Sequence, residues 1–278
     1  MELKGKVKNY EENQYSAGVE LGEPVKMDLH NKHIYQFDNK GNIIAQFDKT
    51  ESGMDKINFM YDSDGNLVVE VSDNYRLTFY YVDGHLREKR LYNIGDLEGL
   101  ELFKYDPKGN LSQKYEYRVK TLMIMRALSE EVRLHDDISF FYFKYRHDEK
   151  GNLVEESQYN ETNDLLNCYI FKYDEHGIKI EDNISYPKRV FTYDEKGRCE
   201  GHCDWSGDTM VEITKYKYDE YNNIIEDIRI ILADLNIREQ YFWKYFYDET
   251  GNWIKKIDYN ENLEPTLITE RKIEYYQS

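Results

Sequence analysis

Hydrophobic and polar residues alternate along most of this chain, and turn residues interrupt the alternation at recurring points. In residues 103 to 117, "FKYDPKGNLSQKYEY", aromatic or aliphatic residues stand at alternate positions on both sides of the turn. Asp106, Pro107 and Gly109 fit a type I turn that is closed by a one-residue bulge. This stretch therefore predicts a β-hairpin in which Tyr105 lies opposite Leu111.

The same turn pattern recurs nine times, so the chain contains an internal repeat. The last turn position is glycine, or once asparagine, and aspartate precedes it by three residues in every copy except at Tyr81. Aromatic residues stand four and six positions before it in all but one copy each. The predicted structural turn residues are Asp38, Gly41, Asp62, Gly65, Gly84, Asp106, Gly109, Asp148, Gly151, Asp174, Gly177, Asp194, Gly197, Asp219, Asn222, Asp248 and Gly251.

Each repeat predicts one hairpin followed by a looser return strand, and the repeats extend from about residue 31 to the end. We therefore expect a single all-β domain over residues 1–278. Roughly 20 antiparallel strands are too many for a flat sheet, which predicts hairpin repeats forming a curved or coiled sheet strip. The first and last segments, "LKGKVKNYEENQY" and "TERKIEYYQS", would cover the two edges of this strip.

One interval departs from the repeat and predicts a short helical insert over residues 119–138. Leu122, Met125, Leu128 and Val132 fall near helical spacing, and Thr121 is a candidate N-cap. A pair of additional strands is the alternative interpretation of the same segment.

The repeat units "FMYDSDGNL", "FKYDPKGNL", "FTYDEKGRC" and "YFYDETGNW" resemble the YD repeats of bacterial Rhs proteins, over about 240 residues. This resemblance implies a strip of β-hairpins that winds into a shell, with roles as toxin carriers, surface proteins or carbohydrate-binding proteins. The chain departs from the family pattern, because asparagine follows the glycine more often than arginine and the units vary in length. With nine units and no additional C-terminal domain, we do not expect it to enclose a toxin.

The charge of the chain limits the classes of partner that it can bind. Its formal net charge is −17, and basic residues alternate with acidic ones, which argues against nucleic-acid binding. No apolar run is long enough to span a membrane. We expect an extracytoplasmic or cell-surface location if a leader peptide was removed before Met1, and a cytoplasmic one if Met1 is the native start.

Candidate chemistry is sparse, and we predict no catalytic residue, metal or cofactor. The segment "CEGHCDW" brings Cys199, His202, Cys203 and Asp204 close together, but a structural zinc site needs further ligands. A reversible disulfide and ordinary packing are the alternatives for these cysteines. Because aspartate recurs at the start of nearly every turn, turn hydrogen bonding explains it better than catalysis does.

Ligand binding is the function that the aromatic residues favour. Trp205, Trp243 and Trp253 lie at even distances from the turn glycines, which predicts that they fill the core. Phe79, Phe242 and Phe246 break this rule and are the candidate ligand-binding residues, for a glycan or another protein. We therefore predict a non-enzymatic scaffold or binding protein, surface-exposed or secreted, with carbohydrate as one candidate ligand. The alternative is a cytoplasmic protein-interaction module, such as one that neutralises a toxin.

Overall fold

The computed structural model describes residues 3–50, 53–119, 138–184, 188–232 and 238–277. Every regular element in these residues is a β-strand, and the described pairings are antiparallel, which confirms the all-β antiparallel class. The interior of the segment predicted as a helical insert, residues 119–138, lies outside the described residues. The strands are β1 (Val7–Glu20), β2 (Glu23–Phe37), β3 (Ile43–Thr50), β4 (Gly53–Tyr61), β5 (Leu67–Val71), β6 (Tyr75–Val82), β7 (His85–Asn93), β8 (Asp96–Tyr105), β9 (Leu111–Val119), β10 (Ile138–His147), β11 (Leu153–Tyr159), β12 (Leu165–Tyr173), β13 (Lys179–Asp182), β14 (Lys188–Tyr193), β15 (Cys199–Ser206), β16 (Thr209–Tyr218), β17 (Ile224–Ile231), β18 (Arg238–Tyr247), β19 (Trp253–Tyr259) and β20 (Pro265–Tyr275).

The chain forms two compact units, one drawn from residues 1–56 and 185–278 and the other from residues 57–184. In the second unit, strands β4 to β13 pair in sequence order. Both units are built from the same hairpin repeat. That residues 1–278 form a single domain stays a prediction.

In the first unit, the N-terminal strand lies between β2 and the C-terminal strand β20. Glu12 of β1 stands opposite His33 of β2 on one side and Arg271 of β20 on the other. The sheet of this unit therefore runs β3, β2, β1, β20 and on through β19 to β14. The predicted strip with two separate, covered edges is wrong here, because the terminal strands satisfy each other's backbone hydrogen bonds.

The repeated turns share one geometry, except for the turn at Gly84. In the others, the turn glycines have φ between 76° and 91°, and Asn222 has φ 68°. In the turn that starts at Asp106, a carboxylate oxygen accepts hydrogen bonds from the backbone N–H groups of Lys108 (2.8 Å) and Asn110 (2.9 Å). The amide side chain of Asn110 also donates to this carboxylate and, as the largest cause, lowers the pKa of Asp106.

The turn at Gly84 is of a different type, which explains why Tyr81 replaces the usual aspartate. Asp83 (φ 51°) and Gly84 (φ 74°) form a two-residue loop, and Val82 pairs directly with His85. Both loop residues have positive φ, as a type I′ turn requires, and Asp-Gly is one of its preferred sequences.

A bulge follows the four-residue turns and reverses which residues share a face. Tyr105 lies opposite Leu111, but the next paired residues are Lys104 and Gln113, so Ser112 is an extra residue. Beyond the bulge, odd and even positions exchange faces. Trp205 was predicted to share the face of the even positions, and this prediction is wrong. Trp205 lies opposite Lys188, and residues that pair across two strands share a face. Lys188 lies nine positions before the turn glycine, which is an odd distance.

In several repeats, the tyrosine of the Tyr-Asp pair joins its hairpin to the one before it. The ladder between β15 and β16 ends at Gly201 and Lys215, whereas β16 continues to Tyr218. The hydroxyl of Tyr218 donates to the carbonyl of Cys199 at 2.6 Å, and so satisfies a backbone group beyond the end of the ladder. Tyr275 of β20 is followed by tyrosine instead of aspartate, but it makes a similar contact, donating to Asp248, the first residue of the preceding turn, at 2.6 Å.

Candidate ligand-binding cleft

The main candidate site is a cleft in the first unit, where β17 and β18 part. The described backbone pairing between these two strands runs from the pair Ile230–Arg238 to the pair Glu226–Phe242. Strand β18 then continues to Tyr247. The cleft has a volume of about 750 Å³, within the range typical of small-molecule sites. It is lined by Asp219, Glu220, Tyr221, Ile225, Glu226, Phe242, Trp243, Lys244, Tyr245, Tyr247, Tyr259 and Leu263.

Cross-strand pairing and a hydrogen bond hold the aromatic walls of the cleft in place. Phe242 lies opposite Tyr259 of β19, because the bulge after the β18–β19 turn brings both onto one face. The indole N–H of Trp243 donates to Asp258 at 2.7 Å, which fixes the orientation of that ring. Because these contacts already fix the aromatic side chains, less side-chain conformational entropy would be lost when a ligand binds.

A stacked tyrosine pair forms the end of the cleft nearest the turns. The rings of Tyr221 and Tyr247 lie 4.0 Å apart at an angle of 20°. The hydroxyl of Tyr247 donates to Asp219 and accepts a hydrogen bond from Asn223 at 2.7 Å. Burial and the hydrogen bond to Asp219 raise the pKa of Tyr247, and burial raises the pKa of Tyr245 to about 12. Both hydroxyls are therefore neutral hydrogen-bonding groups at physiological pH.

Carboxylates supply most of the charge in the cleft. Glu226 is buried, and it is bound by the ammonium of Lys217 at 2.5 Å and the amide of Gln240 at 2.6 Å. Glu220 lies in the exposed turn beside Asp219. The arrangement combines aromatic faces with hydrogen-bond acceptors, which is the chemistry that polyhydroxylated ligands require.

Only one of the three predicted ligand-binding residues lines this cleft. Phe242 lies in its wall, whereas Phe246 is 39% exposed and has the ammonium groups of Lys244 and Lys255 at 5.2 and 5.7 Å from its ring centre. A sugar stacking on this ring would have to compete with the two lysines. Phe79 belongs to the other unit, where it lies opposite Lys89. It does not line the shallow cleft of that unit, which lies around Asp73 and Tyr92.

The segment "CEGHCDW" contributes to a buried polar cluster on β14 to β17. Candidate ligand atoms of His202, Asp204 and Glu212 lie within 4.8 Å of one another, and all three side chains are buried. Sequence inspection missed Glu212 because it comes from the neighbouring strand, where it lies opposite Asp204.

Arginines compensate the carboxylates of this cluster. Arg189 donates two hydrogen bonds to Asp204, at 2.6 and 2.7 Å, and Arg229 donates to Glu212 at 2.7 Å. Burial raises the pKa of the neighbouring Asp227, with Arg229 acting in the opposite direction. These ion pairs account for the buried carboxylates without a metal, and the prediction of no metal site stays a prediction.

Comparison with known proteins identifies no family for this chain. No family model matches the sequence, and no curated protein matches it significantly. Among solved structures, a porin-like protein from Bacteroides uniformis ATCC 8492 is similar with a TM-score of 0.37 and 12% identity, covering 98% of this chain and 99% of that one. A porin-like protein from Bacteroides vulgatus ATCC 8482 gives a TM-score of 0.35 and 10% identity, covering 84% and 97%.

The TcdB2-TccC3 structure without its hypervariable C-terminal region gives a TM-score of 0.32 and 12% identity. The match covers 85% of this chain but only 19% of that much longer one. Scores and identities this low support no transfer of fold detail or function. Within the described residues, no helix has the length and apolar character that crossing a membrane demands.

Proposed function

We propose that this protein is a non-enzymatic carbohydrate-binding protein, and that the cleft between β17 and β18 is its binding site. The observation that carries the proposal is the pairing of Phe242 with Tyr259 on one face of a cleft that the carboxylates of Asp219 and Glu226 also line. Aromatic rings stack against the C–H faces of sugars, while carboxylates accept hydrogen bonds from sugar hydroxyls. The resemblance of the repeat to YD-repeat proteins points to the same role.

Titration calorimetry with neutral oligosaccharides tests this proposal. The ligands are oligomers of glucose, xylose and N-acetylglucosamine, and at least one is expected to bind. Phe242→Ala should weaken binding about tenfold, which corresponds to about 1.4 kcal/mol and is typical of losing one aromatic contact. Circular dichroism of the variant checks that the strands are intact.

Phe246→Ala is the matched control, because Phe246 lies four residues along the same strand but does not line the cleft. It should leave the affinity unchanged. Equal losses in the two variants, or no binding by any oligosaccharide, would contradict the proposal.

A second candidate function, docking to another protein, is favoured by the tip of the β1–β2 hairpin. Leu21 is fully exposed and has φ 51°, and Val19, two residues before it, is 57% exposed. A left-handed backbone is unfavourable for leucine, whereas asparagine tolerates it. Nothing in the local structure therefore explains why leucine occupies this turn position. An apolar side chain flanked by Glu20 and Glu23 suits a partner that has an apolar pocket with a basic rim.

Replacing Leu21 by asparagine separates the two roles of this turn. Leu21→Asn should raise the free energy of unfolding by about 1 kcal/mol, because the turn strain is relieved. Ile94→Asn is the control, because Ile94 occupies the same kind of turn in the other unit, with φ 47° and 90% exposure. Thermal unfolding measures both stabilities. Co-purification from the native cell should be lost in Leu21→Asn alone, and a partner that stays bound to this variant would rule out docking through the tip.

A further inference from the structure

Two hairpin turns of the first unit meet at one edge of its sheet. Strand β1 pairs with β20 as far as Ser16 and Leu267, so the β1–β2 tip and the β19–β20 turn lie side by side just beyond this pair. The tip also lies near the cleft, because burial and then the charge of Glu23 raise the pKa of Tyr259. This edge therefore combines two turns that are distant in the sequence.

Each of these turns places a leucine in a left-handed backbone conformation. Leu21 has φ 51° and is fully exposed, and Leu263 has φ 61° and is 63% exposed. Positive φ is unfavourable for a bulky aliphatic residue. In the two-residue turn before Gly84, Asp83 occupies the position that Leu21 holds at the tip, also with φ 51°. Neither burial nor backbone preference therefore explains the two leucines.

A twin of the β19–β20 turn shows what the local structure alone requires. In the turn at residues 160–164, the N–H of Asn163 donates to the carbonyl of Asn160 at 3.1 Å, and the corresponding bond from Leu263 to Asn260 is 3.0 Å. Asn163 has φ 67°, so the two turns share their geometry. Asparagine occupies the left-handed position in one turn and leucine occupies it in the other. The choice of leucine therefore points to a contact outside the turn.

Glutamates surround the two leucines. Residues 17–25 and 259–266 contain no lysine or arginine and four glutamates, Glu20, Glu23, Glu261 and Glu264. The next cation along β2, Lys26, is bound by Glu270 at 2.8 Å. Glu264 accepts a hydrogen bond from Asn260, and none of the four glutamates forms an ion pair with a described residue. The edge is therefore negative after these contacts are counted, which disfavours a second copy of the chain and an anionic lipid surface.

We propose that Leu21 and Leu263 form one docking surface for a lysine- or arginine-rich polypeptide that presents apolar side chains, such as one face of an amphipathic helix. This inference rests on the docking function proposed for the β1–β2 tip, and it adds the second turn and the class of partner. The two leucines pack against the apolar side of the partner, and its cations lie against the glutamates. Contact with the partner covers both exposed side chains.

Selection from a phage-displayed library of random peptides tests the proposal. The peptides are about 16 residues long, enough for about four helical turns. Immobilised protein is screened at about 150 mM salt, which screens long-range attraction, with an excess of the soluble double variant Leu21→Asn/Leu263→Asn to remove peptides that bind elsewhere. The recovered peptides should combine lysine or arginine with leucine, isoleucine or phenylalanine. In fluorescence anisotropy, each single variant should weaken binding of such a peptide about fivefold, and the double variant about 25-fold, because independent contacts add.

Matched substitutions separate these contacts from net charge and from folding. Ile94→Asn, which changes an exposed aliphatic residue in a left-handed turn of the other unit, should leave the affinity unchanged. Glu261→Gln should weaken binding about threefold, whereas Glu161→Gln, at the same position of the twin turn, should not. Thermal unfolding should show both leucine variants to be at least as stable as the parent, because asparagine tolerates a left-handed backbone.

The outcomes distinguish this surface from the tip on which it rests. Loss of binding in Leu21→Asn but not in Leu263→Asn would overturn the two-turn surface and leave docking through the tip in place. Recovery of no peptide, or equal binding by all variants, would overturn both. Recovery of acidic peptides would overturn the class of partner. Binding to vesicles of phosphatidylcholine and phosphatidylglycerol, or self-association in sedimentation, would overturn it as well if the double variant lost that property.

Discussion

Replacing Arg189 by methionine is expected to lower the free energy of unfolding by about 3–5 kcal/mol, because it leaves a buried charge without its partner. The side chain of Asp204 is 0% exposed, and Arg189 donates to both of its oxygens. The nearest nitrogen of His202 lies 3.8 Å from Asp204, which is too far for a hydrogen bond that could replace those of arginine. Urea-induced unfolding followed by circular dichroism measures the loss.

An exposed arginine–carboxylate pair, in which both hydrogen bonds go to one carboxylate oxygen, provides the control. Arg146 donates two hydrogen bonds to Glu155, at 3.1 and 2.9 Å, but its side chain is 65% exposed. Arg146→Met should cost less than about 1 kcal/mol, because water screens the pair and solvates the remaining carboxylate. Similar losses in the two variants would show that burial of Asp204 does not determine the cost.

A double replacement tests whether the cost comes from the unpaired charge or from lost packing. Adding Asp204→Leu to Arg189→Met removes the uncompensated carboxylate, and it should recover most of the lost stability. If the double variant were as unstable as Arg189→Met alone, lost packing around the arginine side chain would be the cause.

The hairpins could be predicted because their information is local. Asp106 and Gly109 lie three residues apart, and the turn they form depends only on φ preferences and hydrogen bonds within five residues. The pairing of Tyr105 with Leu111 follows directly from this turn. Short-range chemistry of this kind is fully contained in a single repeat.

The sheet face of a residue beyond the turn is harder to predict from the sequence, because a single extra residue changes it. After the bulge, Tyr259 shares a face with Phe242, although the two lie at even and odd distances from Gly251. Counting odd and even positions without the bulge identified Phe242 but missed Tyr259, its aromatic neighbour in the cleft. The signal was present, because a type I turn closed by a left-handed glycine implies the bulge.

Contacts between distant segments could not be predicted from the repeat pattern. Nothing in a periodic sequence specifies that β1 pairs with β20, since pairing of terminal strands depends on how the whole sheet bends. The cleft likewise arises where the ladder between β17 and β18 stops short of the end of β18. Tyr221, in a turn, therefore lines the same cleft as Phe242 on the neighbouring hairpin.

Gly201→Ala is expected to cost about 3 kcal/mol, because a methyl group at this position would collide with the backbone of the neighbouring strand. A Cβ atom on Gly201 would lie well inside van der Waals contact of the Thr214 carbonyl oxygen and 3.2 Å from the Cα of Lys215. Both are backbone atoms of β16, so they cannot move aside as a flexible side chain would. The β15–β16 ladder must separate locally, next to the buried pair of Arg189 and Asp204.

Gly99→Ala separates this steric effect from the general effect of replacing a glycine within a strand. A Cβ atom on Gly99 would meet the Cβ of Leu91 at 3.5 Å and the carbonyl oxygen of Tyr117 at 3.7 Å, both ordinary contacts. Alanine should therefore stabilise this strand by about 0.5 kcal/mol, because it restricts the unfolded chain. Thermal and urea unfolding of the two variants should change in opposite directions. A Gly201→Ala variant as stable as Gly99→Ala would mean that β15 and β16 lie further apart than the structure shows.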